Sequence, residues 1–117
     1  MIISEPILES VKKALGIPDD YKVYDPDIMM HINTAFMSLN QMGVGPSEGF
    51  VITSNASSWS DFTPHMTMLA GVKTYVYAKT KILFDPPTSS FGLDSLVKTC
   101  EELEWRLRSQ TLELEND

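Results

Sequence analysis

Residues Lys81-Ile82-Leu83-Phe84-Asp85-Pro86-Pro87-Thr88-Ser89-Ser90-Phe91 decide the fold of this chain. An apolar helical pattern runs into Asp85, two consecutive prolines forbid its continuation, and a fresh cap follows at Ser89 or Ser90. The segment therefore reads as a rigid corner that sets the angle between two long helices. Asp85, Pro86 and Pro87 are its structural residues.

Downstream of the corner, Leu93, Leu96, Cys100, Leu103, Leu107, Gln110 and Leu114 recur at spacings of three and four, a heptad seam with one polar position. Glu102 with Arg106, and Glu104 with Arg108, stand four apart in the favourable order, each expected to add a few tenths of a kcal/mol on an exposed face. Residues 109–117, ending in the acidic run from Glu113, read as a flexible C-terminal tail.

Upstream, Met66, Leu69, Val72, Val76 and Leu83, with Tyr75 or Tyr77, give a helical apolar face that restarts after Thr63 and Pro64. Gly71 leaves room for a close helix crossing. Before it, Ser58-Trp59-Ser60-Asp61 has the spacing of a capping box with Asp for the usual Glu, so a short helical turn carries Trp59 and Phe62 toward the core.

From Gly43 to Ser58 the periodicity is lost. Phe50 to Thr53 is expected to be extended, and a loop of this length inside a small domain is more often functional or mobile than idle. Asp25-Pro26-Asp27 reads as an N-cap carboxylate, a proline at the first helical position and an acid in the first turn. It opens a helix with Ile28, Ile32, Ala35, Leu39 and Met42 on one face, broadened by Met29 and Phe36 and ended by Gly43. A first helix is expected from about Ser4 to Leu15. Pro6 lies in its opening turn, Ile7, Leu8, Val11, Ala14 and Leu15 on its apolar face, Lys12 and Lys13 in its last turn and Gly16 as its stop.

The expected architecture is all-α: a small bundle of four main helices, with a long loop between the second and third and a long C-terminal helix. The 117 residues suffice for one domain, 1–117, which at this size buries roughly 65% of its unfolded surface. A composition 43% hydrophobic and 21% charged is that of a globular protein. Seven methionines suit a core or contact surface of irregular shape.

The net charge of -7 speaks against a nucleic-acid reader, whose affinity comes from Lys and Arg neutralising phosphates. Cys100, alone, cannot form an internal disulfide, and its place on an apolar face suits a buried thiol in a reducing cytoplasm. The amino terminus lacks the basic start and apolar run of a signal peptide, and no stretch approaches ~18 uninterrupted apolar residues, so neither secretion nor membrane insertion is expected.

Chemistry is not legible. His31 and His65 have no ligand partner at metal spacing, and read as surface or capping residues. The Asp19/Asp20 and Asp25/Asp27 pairs lack a phosphate loop, and Gly43-Val44-Gly45-Pro46 follows a helix where a dinucleotide fingerprint requires a strand. No nucleophile elbow or cysteine-centred signature occurs. No catalytic, cofactor or metal residue is expected, and the protein is not expected to be an enzyme. Trp59 and Trp105 are candidates for either core or partner contact, and in a small domain the core is the commoner place for a tryptophan, although Trp105 stands off the heptad seam.

Three strings carry a resemblance: Gly43-Val44-Gly45 to Gly49-Phe50, Trp59-Ser60-Asp61-Phe62, and the corner Lys81 to Phe91 running into Glu101-Glu102-Leu103-Glu104-Trp105-Arg106-Leu107. In their order the chain resembles, over nearly its whole length, the head-tail connector family of tailed bacteriophages, the adaptor or head-completion proteins that extend the portal. The resemblance implies a helical structural protein of the virion neck, assembled in the bacterial cytoplasm as a homo-oligomeric, usually twelvefold ring. Its partners would be the portal protein and the next neck or stopper protein. DNA would pass through the channel without specific binding. By position, Gln110, Thr111, Leu112, Glu113 and Leu114 match the portal-facing segment, and Val44, Pro46, Phe50, Val51 and Ile52 form a second contact loop toward a neighbouring subunit or neck protein. A small acidic helical regulator or antitoxin-like binding module is the alternative that composition leaves open.

Overall fold

A computed structural model describes residues 5–63 and 65–116, the side chains of Met66 and of residues 114–116 excepted. Five helices follow one another: α1 (Ile7–Leu15), α2 (Asp25–Gln41), the single turn α3 (Trp59–Phe62), α4 (Met66–Phe84) and α5 (Ser90–Asn116). No strand occurs among the described residues, and the one β-bridge joins Pro6 to Ser58. The protein is the all-α bundle that its periodicity predicts.

The centre is α4. It packs along α5 on one side and α2 on another, with α1 against both α2 and α4. Neighbours on several sides explain why α4 buries Met68, Leu69, Val72, Tyr75, Val76, Ala78 and even Thr80, too broad an arc for a simple amphipathic stripe. Tyr75, not Tyr77, is the fully buried tyrosine, and Leu83, expected on the core face, is 42% exposed, the core contact at this end of α4 being made by Ile82 and Phe84 instead. A Cβ on Gly71 would stand 3.1 Å from Leu107 Cδ2, so the glycine sets how closely α4 and α5 cross.

The corner forms as its residues require. Asp85 ends α4, held by Lys81 at 2.9 Å, and Ser89, rather than Ser90, caps α5 by accepting the Gly92 N–H at 3.0 Å. On α5, Cys100 and Leu107 are buried, while Leu93, Leu96, Leu103 and Gln110 are half-buried along the same seam. The helix continues without a break through the segment expected to be loose, to Asn116.

Helix starts differ from expectation in instructive ways. Pro6 is the N-cap of α1 and Ile7 its first residue, whereas Ser4 lies outside the described residues. Gly16 ends it at φ 80°, its N–H and that of Ile17 closing back on Lys13 and Lys12. Ala14, expected on the apolar face, is exposed, and Lys12 is buried instead. Its Nζ reaches Asp25 Oδ1 at 2.8 Å and donates to the carbonyls of Asp19 and Tyr21. Asp25 is consequently not the N-cap of α2. That position falls to Tyr24, because the carboxylate is drawn across to the lysine. His65 is the N-cap of α4, and Pro64 lies outside the described residues.

Candidate functional site

No group of three or more His, Cys, Asp or Glu able to hold a metal ion occurs among the described residues; the surfaces described next are those expected to meet another protein. Two were expected: the long loop and the end of α5.

The loop is irregular but tied down. Asn33 on α2 grips one residue of it twice, donating from Nδ2 to the Ile52 carbonyl at 2.9 Å and accepting the Ile52 N–H on Oδ1 at 2.7 Å. This is the pairing a neighbouring strand would supply, made by one side chain. Asn40 donates to the Pro46 carbonyl at 3.2 Å. Farther on, the Ser57 carbonyl accepts the Ile7 N–H at 2.9 Å, and Asn55 Oδ1 accepts that of Glu9 at 3.1 Å. The Ser58 N–H donates to the Asp61 carboxylate at 2.8 Å, which closes the acidic half of the box before α3.

Under the loop, Phe36, Phe50 and Phe62 stack with ring centroids 4.9 to 5.4 Å apart, and Trp59 joins them at 6.2 Å from Phe36. These spacings are those of attractive edge-to-face and tilted pairs. Trp59 is fully buried, with its indole N–H on Ser10 Oγ at 3.0 Å, and Phe62 is buried beside it, in the structural roles their spacing predicts.

Of the five loop residues expected to make contacts, Val44 and Ile52 are buried and belong to the core. The backbone grip of Asn33 fixes alternation, so Ile52 points inward and its neighbour Val51 outward at 65% exposure. Pro46 and Phe50 are half-buried. The surface offered is therefore Val51 with the edge of Phe50. Together with Met30, Asn33, Thr34 and Met37 of α2 they line a groove of about 360 Å³.

At the other end, Gln110 and Thr111 are half-buried, Leu112 and Glu113 exposed, and the side chain of Leu114 lies outside the described residues. Thr111 flanks a cleft shared with Gly43, Gly45, Phe62 and His65, so the last turns of α5 lie beside the start of the loop. Trp105 is 70% exposed, contrary to the expectation of a core role. It stands off the heptad seam, which faces α4.

A family model described as phage connector protein matches residues 7–113, from the first residue of α1 into the last turn of α5. The chain belongs to the phage connector protein family. Membership makes it a structural rather than an enzymatic protein, and a component of the phage virion. No curated protein and no solved structure matches the chain. For a connector the relevant assets are surfaces, and no helix among the described residues is long and apolar enough to cross a membrane. The buried Cys100 thiol, its pKa raised by burial, is kept from reacting.

The signals missed in the sequence were long-range. Lys12 looked like a dipole-complementing surface lysine, and Glu104 like the partner of Arg108. Glu104 instead accepts the Tyr75 hydroxyl at 2.8 Å, and only the Glu102–Arg106 pair forms as predicted, at 2.8 Å.

Proposed function

We propose that the protein is a subunit of the phage neck that docks on the portal as a ring and joins the DNA-filled head to the tail. The observation that carries this reading is the connector family match across residues 7–113. The outer end of α5, residues Gln110 to Leu114, is the portal-facing element. An exposed Leu112 on a helix that runs on to Asn116 supports it, since an amphipathic helix is a common unit of groove docking. Phe50 and Val51, with Pro46, are the contact of the loop with a neighbouring subunit or the next neck protein.

The ring is assembled in the host cytoplasm, and twelve is the expected number. A net charge of -7 lets DNA pass without sticking, by like-charge repulsion.

The test is the native mass by size exclusion with light scattering, alone and mixed with the portal protein of the same phage. Co-elution with the portal in multiple copies is the expected result. A stable dimer that ignores the portal would support a regulatory module instead and refute the neck role.

A further inference from the structure

Phe91, Lys98, Trp105 and Leu112 are spaced seven apart along α5, and the three apolar ones are 83%, 70% and 55% exposed. At 3.6 residues per turn they form one stripe on the side of α5 opposite its core seam. Met30 and Met37, also seven apart and 57% and 56% exposed, stand opposite the core residues of α2 in the same way. Because α2 and α5 each lie along α4 and do not pack extensively on one another, the molecule carries two outward apolar helix faces on different flanks. A single exposed apolar residue is ordinary, whereas a repeat of seven is the signature of a face that meets another helix.

We infer that the Phe91–Trp105 part of this stripe in one copy packs into the Met30–Met37 groove of the next, leaving Leu112 to the portal. The inference rests on the ring reading and names its subunit contact. Three features select a second copy as the occupant. The two faces match in repeat, which is what interdigitating helices need. The charge at the centre of the stripe also finds a counterpart. Lys98, on the stripe itself, is exposed and makes no ion pair among the described residues. Asp27, one turn before Met30, and Glu48, next to Gly49 at the groove, are equally exposed and unpaired there. Asp94 and Glu101 lie at the edge of the stripe, and the Met30–Met37 stretch facing them holds no acid.

Size is the third feature. A contact about 20 Å long, the Phe91–Trp105 part of the stripe laid along α2, with the Val51 edge added, covers on the order of 500 Å² per partner, at the bottom of the range for a specific interface. Two different faces on one chain make a head-to-tail contact, the kind that closes into a ring when its rotation divides a full turn, whereas a twofold dimer pairs one face with itself. A contact of this modest size is weak between free subunits and is completed on a template.

The full-length variants Met37→Cys, Trp105→Cys and the double variant, assembled on the portal protein and treated with a short bismaleimide, test this. The wild-type chain, whose sole thiol is buried, is the control. The double variant should give a ladder of covalent multimers, an equimolar mixture of the single variants should stop at dimers, and each single variant alone should stay monomeric. Trp105→Glu and Met37→Glu, with unchanged helical circular dichroism, should each lower the copies retained per portal at least tenfold. Dimers from Trp105→Cys alone would overturn the inference in favour of an α5–α5 contact. So would a double variant that co-elutes with the portal in multiple copies yet gives no multimers, which would assign the stripe to another neck protein. Failure of the wild-type chain to bind the portal in multiple copies would overturn the ring reading itself, and this contact with it.

Discussion

The hydroxyl of Tyr75, fully buried on α4, donates to Oε2 of Glu104 on α5 at 2.8 Å. The bond joins the two longest helices. Burial first, and the Glu104 carboxylate second, push the tyrosine pKa well above its ordinary value. Below about pH 10 the phenol is protonated in both folded and unfolded chains, so it contributes no pH dependence there. Above that value the unfolded chain releases the proton and the folded chain keeps it, so stability falls as pH rises. Urea unfolding should show Tyr75→Phe less stable at pH 7 by about 1–3 kcal/mol, with a shallower alkaline decline than wild type. An unchanged alkaline slope would show that the phenol is not held as described.

Lys12 is a buried cation with three oxygen partners: the Asp25 carboxylate and the carbonyls of Asp19 and Tyr21. Removing it leaves a mostly buried carboxylate without its counter-charge, at about 3–5 kcal/mol. Lys12→Ala should therefore be among the most damaging substitutions in α1, and Lys12→Ala with Asp25→Ala should cost less than the sum of the two. Additive losses in urea unfolding would contradict the coupling.

Asn33 holds Ile52 by both its amide groups. Asn33→Ala should lower stability by about 1–3 kcal/mol and speed hydrogen exchange at the Ile52 amide far more than at core amides of α4. Equal protection at Ile52 in variant and wild type would mean that the aromatic cluster alone keeps the loop in place.

Deleting Leu112 to Asp117 removes no residue of α5 that is fully buried among the described residues, the last of which is Leu107. The shortened chain should unfold within about 1 kcal/mol of wild type, as expected of surface residues, and bind the portal protein less tightly. Unimpaired docking would remove the portal-facing role from this segment.

The sequence was most legible where chemistry is local. The diproline corner, the Ser58–Asp61 box, the Gly16 stop and the α5 seam follow from residues within a few positions of each other, and all of them formed. What sequence could not show was the partner of a long side chain. Lys12 and Asp25 meet across a turn, Tyr75 and Glu104 across two helices, and Asn33 and Ile52 across an irregular loop. The loop contacts were only half readable for the same reason. Its apolar residues were visible, but whether Val44 or Val51 faces inward depends on which backbone groups Asn33 and Asn40 hold.

The seat of α1 is built from the middle of the chain. The Ile7 N–H bonds to Ser57, that of Glu9 to Asn55, and the indole of Trp59 to Ser10, 49 residues away. At about 5–20 residues per second on the ribosome, the first helix waits several seconds before any of these partners has been synthesised. Until then its apolar face, Ile7, Leu8 and Val11, has only α2 to lie against. The order of manufacture is thus opposite to the order of assembly: the amino-terminal helix is made first and settles only after the central segment exists to receive it, and a ribosome paused before residue 59 would hold a chain that cannot yet close.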